Sequence, residues 1–200
     1  MEPEERFSDA LEHWLNSDTP KSLGSMNDVF GEKTFAVAIA VLMIVSATPL
    51  PTGGITLVFQ IVAALVAAQM VLGLSAIWVP ARWREHELGN KATRKAIPFV
   101  VRRLRWLEQH SHPRWARLFH NRLVLRLIGV SIMVLAIVAS LAPPFTFLDT
   151  LPALGAVMIA LAIILEDVMV LIAGIGIGTG GILLFVSVGA AVIHFLQSVF

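Results

Sequence analysis

Of the 200 residues, 56% are hydrophobic and only 14% charged, and the mean hydropathy is +0.78. That excludes an ordinary soluble domain, in which about a quarter of the residues are charged. The absence of cysteine excludes disulfides and thiolate metal sites. A net charge of +1 conceals a segregation. Residues 1–33 set eight acidic side chains against Arg6, Lys21 and Lys33, whereas residues 82–126 set ten arginines, Lys91 and Lys95 against Glu85, Glu87 and Glu108; no Lys or Arg follows Arg126.

This pattern predicts an all-α integral membrane protein in four parts. Residues 1–33 form an amphipathic N-terminal region, 34–80 a first membrane hairpin, 81–126 a basic interfacial linker, and 127–200 a second hairpin with a final membrane helix. Short loops rich in Lys and Arg stay in the cytoplasm, so residues 82–122 and the N-terminus are expected there. The acidic start lacks the basic and apolar regions of a cleaved signal peptide.

Taken in order, Arg6–Leu15 places Phe7, Leu11, Trp14 and Leu15 on one helical face. A second short helix after Pro20 would use Leu23, Met26, Val29 and Phe30. These read either as helices packed at the cytoplasmic side or as a docking arm for a partner.

Two apolar runs broken by prolines follow. Phe35–Thr48 meets Pro49-Leu50-Pro51-Thr52-Gly53-Gly54 and resumes as Ile55–Val79; Leu127–Ala142 meets Pro143-Pro144-Phe145-Thr146-Phe147-Leu148-Asp149-Thr150 and resumes as Leu151–Ile175. The runs ahead of the prolines reach only about 21–24 Å, short of a ~30 Å hydrocarbon core. They read as an internal repeat of two broken or re-entrant hairpins. Irregular backbone at membrane depth survives only where protein or a wet cavity covers it. The breaks, carried by Pro49, Pro51, Gly53, Gly54, Pro143, Pro144, Asp149 and Pro152, are therefore the expected functional centre. Asp149 is placed to cap the helix that follows.

Between the hairpins, Ile97, Val100, Val101, Leu104 and Leu107 give a helical stripe opposite Arg102, Arg103 and Arg105. After His112-Pro113 a second stripe uses Trp115, Leu118, Phe119 and Leu123. Arg102, Arg103, Arg105, Arg114 and Arg117 are expected near lipid phosphates, or else simply set orientation as a basic loop. No base-reading motif accompanies them, so nucleic acid is not an expected partner. His86, His110, His112 and His120 have no metal-ligand spacing, and no metal or other cofactor is expected.

Polar groups inside apolar helices are costly, which singles out Gln60, Gln69, Glu166 and Asp167. Either they form a polar site between the hairpins, or the two carboxylates mark an interfacial helix end. Gly174–Gly181 reads as a turn or a flexible helix segment before a last membrane run, Ile182–Phe200. Its GxxxG spacings, Gly174/Gly178 among them, favour close packing within the chain or in a homodimer.

Several short motifs in this order resemble the ExoD family, bacterial inner-membrane proteins linked to exopolysaccharide synthesis. They are Ser22-Leu23-Gly24, Pro49-Leu50-Pro51, Gln69-Met70-Val71-Leu72-Gly73 with Trp78-Val79-Pro80, Trp106-Leu107-Glu108 with His112-Pro113-Arg114, Pro143-Pro144-Phe145, and Leu151-Pro152-Ala153-Leu154. The chain departs from the family's charged-Asp-Gly turn in having Glu166-Asp167-Val168. The resemblance implies a multi-pass inner-membrane protein of exopolysaccharide production. Paired breaks and a basic inner face suit one that handles or helps export a lipid-linked or anionic glycan or lipid, with membrane lipids as partners. The alternative is a regulatory or scaffold subunit that transports nothing. No catalytic constellation is present, so an enzyme ranks last.

Overall fold

The computed structural model describes residues 7–17, 25, 29–31, 33–48, 54–78, 102, 105, 108, 115–143 and 146–199. Every regular element among them is a helix: α1 (Phe7–Asn16), α2 (Lys33–Ser46), α3 (Ile55–Leu72), α4 (Ala116–Phe119), α5 (Arg122–Leu141), α6 (Thr150–Leu165) and α7 (Val168–Val199). Three of these, α3, α5 and α7, are long and apolar enough to cross a membrane, which marks an all-helical membrane protein.

The helix ends follow from local chemistry. The structure places the end of α2 at Ser46, with Thr48 Oγ1 donating back to the Val45 carbonyl at 2.7 Å. The residue before a proline is biased against the helical region, and Pro49 follows. Gly73, left-handed at φ +79, ends α3: its N–H reaches the Met70 carbonyl and the Leu74 N–H reaches that of Gln69. These are the paired bonds of a Schellman motif. At the start of α5 the Asn121 side chain accepts from the Leu123 N–H at 2.9 Å. That cap keeps Arg122 to Arg126 helical, and α5 runs for 20 residues.

Helix lengths correct the sequence reading. The run ahead of the first prolines, α2, is short as expected, ~21 Å, but the run ahead of the second is α5, ~30 Å long, and the other short helix is α6, ~24 Å, which follows the prolines. Pro152 breaks nothing. It sits in the first turn of α6, where no intrahelical N–H bond is required of it, and is fully buried.

Helix α2 packs on α3 and α6, α3 on α5, α5 on α6, and α7 mainly on α6. Lys33 at the start of α2 meets Glu166 at the end of α6, and Gly73 after α3 touches Arg126 in the first turns of α5. Lys33, Gly73, Arg126 and Glu166 thus share one end, the charged end. Ala47, Thr48 and Gly54, with Ala142, Pro143 and residues 146–149, lie at the other, the loop end. Helices α2 and α6 form the centre, with Phe35, Ile39, Met43 and Ile159 essentially inaccessible. Only 28%, 39% and 22% of the apolar windows of α3, α5 and α7 are buried inside the protein, so these three carry the lipid-facing surface.

Of the two readings of the glycine-rich stretch, the turn does not hold: the stretch is helical. Glu166, left-handed at φ +53, ends α6, and α7 runs unbroken through Gly174–Gly181. A Cβ on Gly155 would lie 2.5 Å from the Gly178 Cα, and one on Gly174 would lie 2.8 Å from the Ile159 backbone. The missing side chains let α6 and α7 lie in backbone contact. Gly174 and Gly178 are thus occupied by packing within the chain.

Candidate functional site at the helix breaks

At the loop end the described residues around the two proline segments, Thr48 and Gly54 on one side and Pro143 and Thr146 on the other, lie on the same side of the bundle. Gln60, one and a half turns into α3 and only 2% exposed, donates from Nε2 to Asp149 Oδ2 at 3.0 Å. Asp149 stands at the N-cap position of α6 but makes no side-chain cap bond. Its carboxylate is turned to α3 instead, a correction to the capping role read from sequence. Gly54 ahead of α3 likewise supplies no side-chain cap. Asp149 thus stands at the positive N-terminal end of α6 while its side chain reaches across to α3.

Other features gather at this end. Ser46 closes α2, and its buried Oγ has no hydrogen-bond partner, where such groups are ordinarily paired. Phe147 is left-handed at φ +55 and 49% exposed, two residues before Asp149. A bulky residue in that conformation stores strain. The Thr146 hydroxyl donates to the Pro143 carbonyl at 2.7 Å, tightening the loop beneath Phe147. Pro49, Pro51, Gly53 and Pro144 lie outside the described residues.

The remaining polar residues are not drawn into this site. Gln69 Oε1 accepts from the Trp78 N–H at 2.6 Å, folding the chain back over the end of α3. Glu166 pairs with Lys33 Nζ at 2.8 Å, the side chains 19% and 36% exposed, and Lys33 also lies 5.7 Å from the Phe7 ring centroid. Asp167 Oδ1 accepts from the Met169 N–H at 2.8 Å, as an N-cap of α7 does. Of the four polar residues read from sequence, only Gln60 is at the breaks, and its partner is Asp149. Glu166 and Asp167 mark a helix end.

At the charged end, α1 is held by the central segment. Leu11 and Trp14 are buried, and the Phe7 and Phe30 rings meet edge-on at 5.0 Å. Glu108 accepts from the Ser8 N–H at 3.0 Å and from the Ser8 hydroxyl. Arg105 pairs with Asp9 at 3.3 Å and with Glu12. Its pKa is raised by the hydrogen bond to Glu12, by the charge of Glu12 and then by Asp9, against a small desolvation penalty. Arg105 is thus engaged by α1 rather than held free for lipid. Arg102 and Arg117 are exposed; Arg103 and Arg114 lie outside the described residues. Arg117 lines an open cleft of about 510 Å³ with Trp115, Leu118 and Asn121. Among the described residues no cluster of three His, Asp or Glu has a metal-binding arrangement.

Sequence reasoning missed Lys33, Ser46 and Phe147. Lys33 carried a signal, being the last charge before an apolar run that must end opposite another charge. The strain at Phe147 and the orphan hydroxyl of Ser46 arise only once the loops are closed.

The chain matches the family model described as exopolysaccharide synthesis, ExoD, over residues 7–187. It is 30% identical over 124 residues to the uncharacterized protein slr1875 of Synechocystis sp., an alignment covering 62% of this chain and 58% of that relative. The chain thus spans rather more than half the length of that curated relative. No solved structure matches it. With nearly the whole chain inside the family match, this protein belongs to the ExoD family of exopolysaccharide synthesis proteins.

Proposed function

We propose that this protein handles, or helps to export, a lipid-linked or anionic glycan or lipid in the inner membrane during exopolysaccharide production, with the helix breaks as its working site. The observation that carries this reading is the Gln60–Asp149 hydrogen bond, a polar link between the helix after the first proline segment and the second segment itself in an otherwise apolar bundle. Carboxylate and amide groups suit sugar hydroxyls, since each both orients and satisfies them, and the exposed Phe147 ring beside them offers an apolar face.

The packing of α2 on α6 and of α3 on α5 fits two hairpins related by an axis along the bundle, a parallel rather than an inverted repeat. The positive-inside rule places the charged end at the cytoplasm, and the loop end then faces outward.

Asp149→Asn keeps the shape and one acceptor oxygen but removes the charge. In a strain lacking the gene, this variant is expected to restore less than about a tenth of wild-type exopolysaccharide at equal membrane protein level, the scale of one lost charged contact. Wild-type output from Asp149→Asn would overturn the reading.

A second reading, a scaffold subunit without transport, is favoured by one observation: two basic side chains are taken up by acidic ones within the chain, Lys33 by Glu166 and Arg105 by Asp9 and Glu12. It expects output to follow the integrity of the charged end and to ignore Asp149.

A further inference from the structure

Helix α7 is too long for the body it packs on. A Cβ on Gly181 would lie 2.6 Å from Pro152 in the first turn of α6, so the two helices part company one turn later. The remaining Leu184–Val199 run extends ~24 Å beyond α6 at the loop end. All of α7 measures ~48 Å against a hydrocarbon core of ~30 Å, and fitting it inside would require a tilt of about 50°, beyond the 0–40° that membrane helices adopt. The body already fills the core, with α3 and α5 ~27 and ~30 Å long. A straight tail would therefore stand in water, with Val188, Val192, Phe195 and Leu196 at 37–66% exposure.

The side chains of that tail fall into two stripes. Phe185, Val188, Val192, Phe195 and Leu196 follow the spacing i, i+3, i+7, i+10, i+11. Ser187, Ala190, Ala191, His194, Gln197 and Ser198 repeat it two residues on, about 200° around the helix. Ile193 lies on the flank between them. Helices with one apolar and one polar face lie in the plane of the interface. Gly189 sits between body and tail with nothing within 4 Å of where its Cβ would be, so no neighbour opposes a bend there.

From this we infer that α7 bends over the turn that leads to Gly189, and that its end, from about Ser187 onward, lies in the lipid interface at the loop end, apolar stripe against the acyl chains. No Lys or Arg follows Arg126, so apolar area rather than anionic lipid holds it, and neutral phosphatidylcholine suffices as the surface. The placement does not depend on which side of the membrane the loop end faces.

The chain has no cysteine, so single cysteines at 187, 188, 191, 192, 194, 195 and 198 each carry one environment-sensitive fluorophore. The full-length protein is reconstituted in phosphatidylcholine vesicles, with a label at Val58, on the exposed face of α3, as the reference for a folded, inserted bundle. Quenching by acyl-chain nitroxides is expected to peak at 188, 192 and 195 and to fall about threefold at 187, 191, 194 and 198, with aqueous iodide showing the inverse pattern. Iodide access at every site would mean a tail standing in water and would overturn the inference. So would lipid quenching that changes steadily with residue number, the mark of a straight membrane helix. Shielding of 188, 192 and 195 from both quenchers would also overturn it, by showing that a second copy or another protein covers the stripe.

Discussion

Gln60 and Asp149 lie 89 residues apart in the chain and meet at 3.0 Å, side chain to side chain. One belongs to the helix after the first proline segment and the other to the second segment itself. That bond ties the two halves of the membrane domain together at their irregular ends. Gln60→Leu keeps the bulk, removes the donor and leaves the carboxylate without this partner. We expect a loss of about 1.5–2 kcal/mol, the lower part of the range for a hydrogen bond to a charged group, because Asp149 is only half buried. Thermal unfolding in detergent micelles, followed by tryptophan fluorescence, measures it.

The glycines of α6 and α7 divide into two classes that alanine substitution separates. Gly155 faces the backbone of Gly178 at 2.5 Å, and backbone cannot step aside. Gly155→Ala should cost about 3 kcal/mol or more, at the top of the range for overpacking. Gly178→Ala meets the end of the Leu135 side chain at 2.7 Å, which can shift, so about 1–2 kcal/mol is expected. Gly176 and Gly180 face open space, and alanine there should stabilise by up to about 1 kcal/mol through helix propensity. Unfolding midpoints of the four variants should fall in that order.

Glu166 combines a favourable pair with an unfavourable backbone. Its left-handed conformation costs about 1–2 kcal/mol for a residue with a Cβ, and its bond to Lys33, more than a third exposed, returns about 0.5–1 kcal/mol. Glu166→Gly trades one for the other and should be neutral to slightly stabilising. Glu166→Gln loses the pair and keeps the strain. A double-mutant cycle with Lys33→Met should give a coupling under about 1 kcal/mol. A larger value would mean that the site is drier than its exposure indicates.

How much of this was legible in the sequence depends on what each feature rests on. The α1 stripe of Leu11 and Trp14 and the apolar character of the long helices follow from periodicity and composition, which act locally. The α6–α7 boundary showed only as one of two readings of Glu166 and Asp167, because Glu166-Asp167-Val168 lacks the glycine that would announce a left-handed residue; here the strained position is Glu166 itself. The glycines at 174–181 suggested a turn because their role is to admit another helix, information carried by α6 and not by α7. Gln60 stood out as a polar residue in an apolar run. Its partner did not, because Asp149 has the sequence position of an N-cap and takes on another task only when α3 lies beside it.

The grip of the central segment on α1 should respond to salt rather than to alkali. With its pKa raised by Glu12 and Asp9, Arg105 stays charged up to and beyond its ordinary value, so while the two carboxylates are ionised the stabilisation is present and alkali removes it only above that raised pKa. The ion pairs are exposed and should weaken as the screening length shortens, from about 10 Å at 0.1 M to 3 Å at 1 M salt. Limited proteolysis within α1 should therefore speed up in high salt for the wild type, and less so for Arg105→Ala, which has already lost the pairs. Equal acceleration in both would mean that Leu11, Trp14 and the Ser8–Glu108 bonds hold the helix unaided.

The orientation of the bundle can be read from two exposed positions at opposite ends. Arg117 lies at the charged end, and Phe147 is 49% exposed at the loop end. If the twelve basic residues from Arg82 to Arg126 hold their segment inside, a membrane-impermeant thiol reagent applied to intact cells should label Phe147→Cys and spare Arg117→Cys until the membrane is opened. The absence of native cysteine makes the background empty. The reverse pattern would turn the molecule over, placing the helix breaks and Asp149 on the cytoplasmic side. A glycan meeting Asp149 would then have to be loaded there before crossing, and the direction assigned to the site would be wrong even though its chemistry stood. Labelling of both positions in separate intact-cell experiments would show two orientations of one chain. The basic segment would then be too weak a signal to fix the topology, against the usual dominance of short basic loops.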